Sequence, residues 1–402
     1  MRKYLVISIL LIFMSFHLNA QLAQGKCKFL GNIIASSVPS NFKNYWNQVT
    51  PENAGKWGSV ESALNVMNWT GLDLAYNYAR KNGFPFREHT LIWGQQQPAW
   101  IGSLPADMQR AEVEEWIRLF SERYPEADFI DVVNEPLHAV PSYSEALGGS
   151  GETGYDWVVW AFRKARYYCP HARLQLNEYG ILGSSSATGQ YLALINILRG
   201  KDLIDCIGLQ GHGLEKVSAS TIKANLNKLA TAGLPIYITE YDVNIADDTQ
   251  QFRIYSQQFP VMWEHPWVAG ITLWGYVQGQ IWQQNAWLVQ SDGTERQAME
   301  WLKSYITTAE VKCWNTSDEG NNPDRGQDIE IFPNPAKNGL ITVTLKDLMT
   351  EMMIFDITGR LVTKIPVYQQ RIINVELDLS PGLYLLQFQG IRKQVTQKLY
   401  VF

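Results

Sequence analysis

Two glutamates in this 402-residue chain stand at the ends of short apolar runs. The first run is Asp131-Val132-Val133-Asn134-Glu135-Pro136, and the second is Pro235-Ile236-Tyr237-Ile238-Thr239-Glu240-Tyr241-Asp242. Each reads as a buried β-strand that finishes in a carboxylate. An ionisable group at the mouth of an apolar strand is costly unless it is paired or functional. Two such groups facing one cleft could cut a glycosidic bond. One carboxyl would protonate the departing oxygen while the other attacks the anomeric carbon. The alternative is a pair of structural ion pairs.

The elements around these runs say how they are held. Strand-like segments are Phe29–Ile34, Trp46–Thr50, Pro85–Trp93, Phe129–Glu135, Arg173–Glu178, Asp205–Gln210, Pro235–Glu240 and Gly270–Trp274. Amphipathic helical segments fall between them, including Gly71–Lys81, Ala106–Arg123, Tyr155–Tyr168, Ser218–Thr231 and Gln250–Glu264. Eight alternations over residues 26–308 predict an α/β fold, a (β/α)₈ TIM barrel. Glu135 and Glu240 then end strands four and seven, on the face where such barrels do chemistry. A doubly wound open sheet competes, but no Gly-x-Gly-x-x-Gly follows the first strand.

Composition narrows the class. Net charge is −5, and no basic patch is dense enough for nucleic acid. Fifteen tryptophans can fill a core or stack on the flat faces of sugar rings. Arg2 and Lys3 precede an apolar run that ends near Leu18-Asn19-Ala20, so residues 1–20 read as a signal peptide. No second run is long enough to span a membrane, and an exported protein is expected. Cys27, Cys169, Cys206 and Cys313 fit no zinc spacing. Cys27 and Cys313 flank the barrel and could staple its ends; buried thiols are the alternative. Residues 309–327 read as a linker, with Asn315–Asp324 polar and turn-rich. Residues 328–402 alternate with period two, as at Val375, Leu377 and Leu379. Turns at Pro335, Asn338-Gly339, Thr358-Gly359 and Pro381-Gly382 predict a small all-β sandwich.

Longer motifs carry a family resemblance. Thr50-Pro51-Glu52-Asn53-x-x-Lys56-Trp57 follows strand two. His89-Thr90-Leu91-Ile92-Trp93, with Gln96, Pro98 and Trp100, follows strand three. Asn134-Glu135-Pro136 ends strand four, Gln210-Gly211-His212 strand six and Glu240-x-Asp242 strand seven. Trp274 and Trp282 lie on and after strand eight. This set resembles glycoside hydrolase family 10, the endo-β-1,4-xylanases, over nearly the whole barrel. The resemblance implies a retaining double displacement with Glu135 as acid and base and Glu240 as nucleophile. Their carboxyls should then lie about 5–5.5 Å apart, with the pKa of Glu135 raised by burial and by its neighbour. His212 resembles the histidine that hydrogen-bonds the nucleophile, and Asp242 the group that orients it. Asn134 should donate to the sugar 2-hydroxyl. Glu52, Asn53 and Lys56 resemble the group that binds the next sugar; a plain surface lysine is the alternative at Lys56. His89, Trp93 and Gln96 should complete the floor and wall, and Trp274 and Trp282 the roof. Gln210 and Tyr179 should line the site near the nucleophile, whereas Trp57 and Trp100 should pack.

Three positions depart from the family: Gly94 where histidine is usual after the tryptophan, Glu88 for a common glycine, and Glu178 for an aspartate. Gly94 puts subsite affinity in doubt. The tail resembles the C-terminal sorting domain of bacterial type IX secretion. Phe332-Pro333-Asn334-Pro335, Asp356-Ile357-Thr358-Gly359-Arg360, Leu379-Ser380-Pro381-Gly382-Leu383-Tyr384 and Lys398-Leu399-Tyr400-Val401-Phe402 carry that likeness. A sugar-binding or spacer sandwich is the alternative. The reading is therefore a secreted or surface-held monomeric endo-xylanase. It needs no cofactor or metal, and its partners are xylan or xylo-oligosaccharide and the type IX machinery. Two alternatives stand beside it: a relative acting on another β-linked glycan such as cellulose, and a non-catalytic glycan-binding protein.

Overall fold

The computed structural model describes residues 21–314, 329–336, 340–345, 349–367, 372–390 and 394–402. The expected signal peptide, the linker stretch Asn315–Asp324 and the Asn338-Gly339 turn lie outside them.

Eight parallel strands form the first unit: β1 (Phe29–Ile34), β2 (Val49–Pro51), β3 (Arg87–Ile92), β4 (Phe129–Asn134), β5 (Arg173–Asn177), β6 (Cys206–Gly211), β7 (Ile236–Tyr241) and β8 (Val268–Leu273). Neighbours run β2-β1-β8-β7-β6-β5-β4-β3. A parallel bridge between Val49 and Phe86 joins β2 to β3 and closes the ring. The helices are α1 (Phe42–Tyr45), α2 (Trp57–Val60), α3 (Thr70–Asn82), α4 (Ala106–Arg123), α5 (Asp156–Tyr168), α6 (Ser185–Arg199), α7 (Ala219–Ala230), α8 (Asp248–Trp263) and α9 (Gln297–Thr308). The TIM barrel predicted from the alternation is the fold observed.

One strand is shorter than predicted and starts later. The second strand is only Val49–Pro51, because Trp46 instead closes α1 through its N–H to Phe42 O (3.0 Å). Trp46 is fully buried, edge-on to Tyr276. Its bulk serves the core rather than a strand. Helix α6 fills the place between β5 and β6 that the alternation reserves for a helix. Its start, Ser184-Ser185-Ser186, looks like loop, but Ser184 is an N-cap whose side chain accepts from Ala187 N.

The barrel interior is layered. At the bottom, Phe29, Phe129, Tyr237 and Cys206 form an apolar plug. Above it lie buried polar groups, Arg87, Asp131 and Gln175. Gln175 Nε2 donates to Asp131 Oδ1 at 2.7 Å, and Arg87 Nη2 to Thr239 O at 2.7 Å. Buried polar groups are tolerated when they satisfy one another. The strand ends open above this layer. A disulfide joins Cys27, just before β1, to Cys313, after α9, across 286 residues. Cys169 and Cys206 are buried thiols.

The second unit holds β9 (Ile329–Phe332), β10 (Leu340–Leu345), β11 (Met349–Asp356), β12 (Leu361–Pro366), β13 (Ile372–Glu376), β14 (Gly382–Gly390) and β15 (Gln394–Val401). They form antiparallel sheets β13-β10-β9 and β12-β11-β14-β15. Ile341, Val343 and Val375 of one sheet share a core with Met352, Ile354, Phe388 and Leu399 of the other. This is the predicted sandwich. Among the described residues no helix is long and apolar enough to cross a membrane.

Candidate active site

Glu135 stands one residue past β4, with φ +55°. A left-handed backbone at a non-glycine costs about 1–3 kcal/mol, and such strain gathers at functional sites. Here it is held by Glu135 N to Asn177 O (2.8 Å) and by Ala139 N to Glu135 O (2.7 Å). The turn aims the carboxyl back over the strand ends. Its Oε2 accepts from Trp93 Nε1 at 3.0 Å, and its Oε1 from Gln210 Nε2 at 3.0 Å and Asn134 Nδ2 at 3.3 Å.

Glu240 lies near the end of β7, buried. Its Oε1 accepts from Asn177 Nδ2 at 2.6 Å, and its Oε2 lies 3.1 Å from His212 Nε2. His89 Nδ1 is 3.9 Å from Oε1. Burial would raise the pKa of Glu240, but His89, His212 and Arg87 outweigh it and bring it to about 2. Glu240 is a fixed carboxylate. His212 in turn has Nδ1 2.9 Å from Asp242 Oδ2, close enough to pair though off the ring N–H axis. Burial alone would lower the His212 pKa; Asp242 and Glu240 push it up to about 10. His212 therefore sits as an imidazolium between two anions.

Both glutamates meet across one polar chain. Asn134 Oδ1 accepts from Gln210 Nε2 (3.2 Å) and from Asn177 Nδ2 (2.9 Å). Gln210 thus touches Glu135 and Asn177 touches Glu240, with Asn134 between them. Gln210 stands beside Glu240 in the β6–β7 register while its amide reaches across to Glu135. Tyr179 also lies on the Glu135 side. Its ring rests on His138 with centroids 4.2 Å apart, and the Glu135 charge helps raise its pKa after burial.

The β2 loop forms another wall. Lys56 is 6 % exposed, which excludes a plain surface lysine. Its Nζ donates to Asn53 Oδ1 (2.9 Å) and lies 4.8 Å above the Trp93 ring. Burial lowers its pKa, against the pull of Glu240, Glu52 and Glu135. Gln96, also at positive φ, donates to Asn53 Oδ1 at 3.2 Å. Glu52 is partly buried, which raises its pKa against the pull of Lys56. Asn53, Glu52 and Trp282 border an open cleft of about 660 Å³. Trp274 is buried edge-on to His89 at 5.1 Å. Trp282 is half exposed, donates Nε1 to Asp242 Oδ2 (2.9 Å) and lies edge-on to His212 (4.7 Å). Trp57 is buried and bonds Glu61 Oε2 (2.7 Å); Trp100 bonds Glu61 O (3.1 Å). Both pack as expected.

The departures from the family have local causes. A side chain at Gly94 would collide with the Ala139 and Val140 carbonyls, and Gly94 N donates to Ala139 O at 3.0 Å. The loop after β4 occupies that space. Glu178 is fully buried and accepts from Leu137 N and His138 Nδ1 at 2.9 Å and from Tyr179 N at 2.8 Å. It ties that loop to β5. Asn177, Asp131 and Arg87 were missed as supports. Asp131 Oδ2 takes His89 Nδ1 at 2.9 Å, which fixes that ring. The available signal was polar residues inside strands that the alternation makes core. Among the described residues no His, Cys, Asp and Glu cluster could hold a metal ion.

Comparison with known proteins places this architecture. Residues 330–401 match the secretion system C-terminal sorting domain. The chain is 43 % identical over 278 residues to endo-1,4-beta-xylanase B of Cellvibrio japonicus, covering 68 % of this chain and 45 % of that protein. It thus spans under half the length of that relative. It is 26 % identical over 290 residues to anti-sigma-I factor RsgI6 of Acetivibrio thermocellus, covering 70 % of this chain and 37 % of that protein. The crystal structure of native xylanase 10B from Thermotoga maritima superposes with a TM-score of 0.64 at 23 % identity, over 72 % of this chain and 98 % of that one. That likeness speaks for the fold. Residues 17–305 match glycosyl hydrolase family 10, and the chain belongs to that family.

Proposed function

We propose that the protein is a secreted, retaining endo-1,4-β-xylanase. The observation that carries this reading is the contrast between its two strand-end carboxylates. Glu240 faces His89, His212 and Arg87, and so stays ionised. Glu135 meets only the neutral donors Trp93, Gln210 and Asn134. One group is held by cationic partners at hydrogen-bonding or close ionic range; the other is hydrogen-bonded by neutral donors.

In the first step Glu240 attacks the anomeric carbon while Glu135 gives its proton to the glycosidic oxygen, which leaves with its sugar. A glycosyl ester on Glu240 results. In the second step Glu135 takes a proton from water, whose oxygen attacks the same carbon and releases Glu240. Asn134, set between both carboxyls, is placed to reach the sugar 2-hydroxyl, a contact that strengthens in the transition state. Glu52, Asn53 and Lys56 hold the next sugar, and Trp274 and Trp282 cover the cleaved one. Tyr179 offers a ring beside Glu135, on the leaving-group side. No step needs a cofactor.

The 43 % identity to a named endo-1,4-beta-xylanase supports xylan as the substrate. The match to a secretion sorting domain supports export through a type IX system and a secreted or surface location. Reducing-sugar release from xylan, cellulose and mannan tests the substrate, and proton NMR of the first product tests retention. Xylan left intact while cellulose or mannan is cut refutes the substrate; an α-anomer as first product refutes the mechanism. Binding of xylo-oligosaccharide without turnover by the wild type favours a glycan-binding protein.

A further inference from the structure

Glu88 takes no part in this chemistry. On β3, Arg87 and His89 point into the barrel, where they meet Asp131. Strand residues alternate faces, so Glu88 between them points outward, under the loop after β2. It is fully buried, and neither carboxyl oxygen has a hydrogen-bond partner among the described residues. What lies over it is Gly55. A Cβ built there would sit 2.7 and 2.9 Å from the two Glu88 oxygens and 2.6 Å from His89 O. Gly55 belongs to the segment that carries Glu52 and Asn53 before it and Lys56 after it. The loop backbone therefore rests directly on the Glu88 head group, and glycine is what permits the approach.

We infer that Glu88 is a positioning residue: an uncharged carboxylic acid that props the β2 loop and so sets Glu52, Asn53 and Lys56 for the sugar beyond the cleavage point. Neutrality follows from its surroundings. Burial and the charge of Asp131 both raise its pKa well above the ordinary carboxylate value. An ionised carboxylate there would have no donor to stabilise it. Its volume is what the loop uses. Removing the side chain would leave a void under Gly55, which the loop would fill by moving toward β3. A misplacement of about 1 Å in a binding group can cost up to about 100-fold. The cost would fall only on substrates that reach the loop.

This inference rests on the xylanase reading, and the test separates the two. Full-length wild type and the variants Glu88→Ala, Glu88→Gln and Glu88→Met are compared on aryl β-xyloside, with one sugar, and aryl β-xylobioside, with two. Glu88→Ala should lower kcat/KM on the xylobioside by about 10- to 100-fold, mostly through KM, while the xyloside changes less than about twofold. Glu88→Gln and Glu88→Met keep volume without charge and should stay near wild type on both. Glu88→Met should melt at or above the wild-type temperature, because an unpaired polar group has gone. Equal losses on both substrates by folded Glu88→Ala overturn the inference, as does a Gln or Met variant that fails as Ala does. If Glu88→Ala does not fold, Gln and Met still decide between volume and charge. A wild type inert on both substrates refutes the xylanase reading itself.

Discussion

Asp242→Asn should move the alkaline limit of the first, glycosylating step downward. His212 faces Glu240 through Nε2 and Asp242 through Nδ1. Only the doubly protonated ring offers a donor to both. The pKa of about 10, against an ordinary value of 6.5, is a 3.5-unit rise, about 5 kcal/mol in favour of the cation. The sign is fixed by the direction of the shift. The stabilisation is complete below pH 6.5 and is lost as pH rises through about 10. Asparagine keeps the shape but removes the anion, and the one position that meets both Trp282 Nε1 and His212 Nδ1 then holds either an amide oxygen or an amide nitrogen, so the cation loses its partner charge. Losing one anionic partner typically moves a pKa by about 1–3 units, which would place His212 near 7–9. At pH 9 about nine-tenths of wild-type His212 would be charged, and about one-tenth in a variant with a pKa of 8, a roughly tenfold contrast that vanishes near pH 6. The assay is kcat/KM against pH with an activated aryl xylobioside whose leaving group needs no proton from Glu135. That ratio reports the free enzyme, in which Glu240 is still an anion, so the alkaline limb follows His212. An NMR titration of the ring checks it independently. A limb within half a unit of wild type in both measurements refutes the role given to Asp242.

Glu240→Ala should abolish turnover yet keep micromolar-to-millimolar oligosaccharide binding by calorimetry; residual xylan hydrolysis above about 1 % would contradict the nucleophile assignment. Glu135→Ala should lose far more on xylan than on aryl xylosides with acidic leaving groups, and equal losses on both would contradict its role as acid. Replacing Cys27 and Cys313 together by serine should lower the melting temperature. A loop of 286 residues corresponds to at most about 5.6 kcal/mol, or of order 10 °C by calorimetry, and an unchanged midpoint would mean that the bond does not form or does not constrain the unfolded chain. Deleting residues 329–402 should leave xylan hydrolysis by the purified barrel intact while the native host fails to release the enzyme, as read by immunoblot of medium and periplasm.

The alternation of strands and helices was legible because each strand is apolar and each helix carries one apolar face. The two glutamates were legible because charge at the end of such a run needs a reason. The supports were harder to see. Asp131 and Arg87 lie before the ends of their strands, and their partners come from strands dozens of residues away. Asn177 was passed over for Tyr179, two positions on, although it is Asn177 that touches Glu240. Strand order puts Gln210 beside Glu240 but does not say that its amide reaches across to Glu135. Trp46 was read as strand because bulk and β-propensity coincide in tryptophan; burial against Tyr276 decided otherwise. The cysteines could not be paired by spacing. Their pairing depends on the barrel closing, which brings residues 27 and 313 to a Cα separation of 5.8 Å.

That closure has an outcome for resistance to proteolysis. With Cys27 bonded to Cys313, the polypeptide from one end of the barrel to the other is a covalent loop rather than a line. A protease that clips one surface turn linearises it but frees no fragment, so the severed ends stay tethered and can remain docked. Two separate clips are needed before a piece can drift away, unless a reductant opens the sulfur link first.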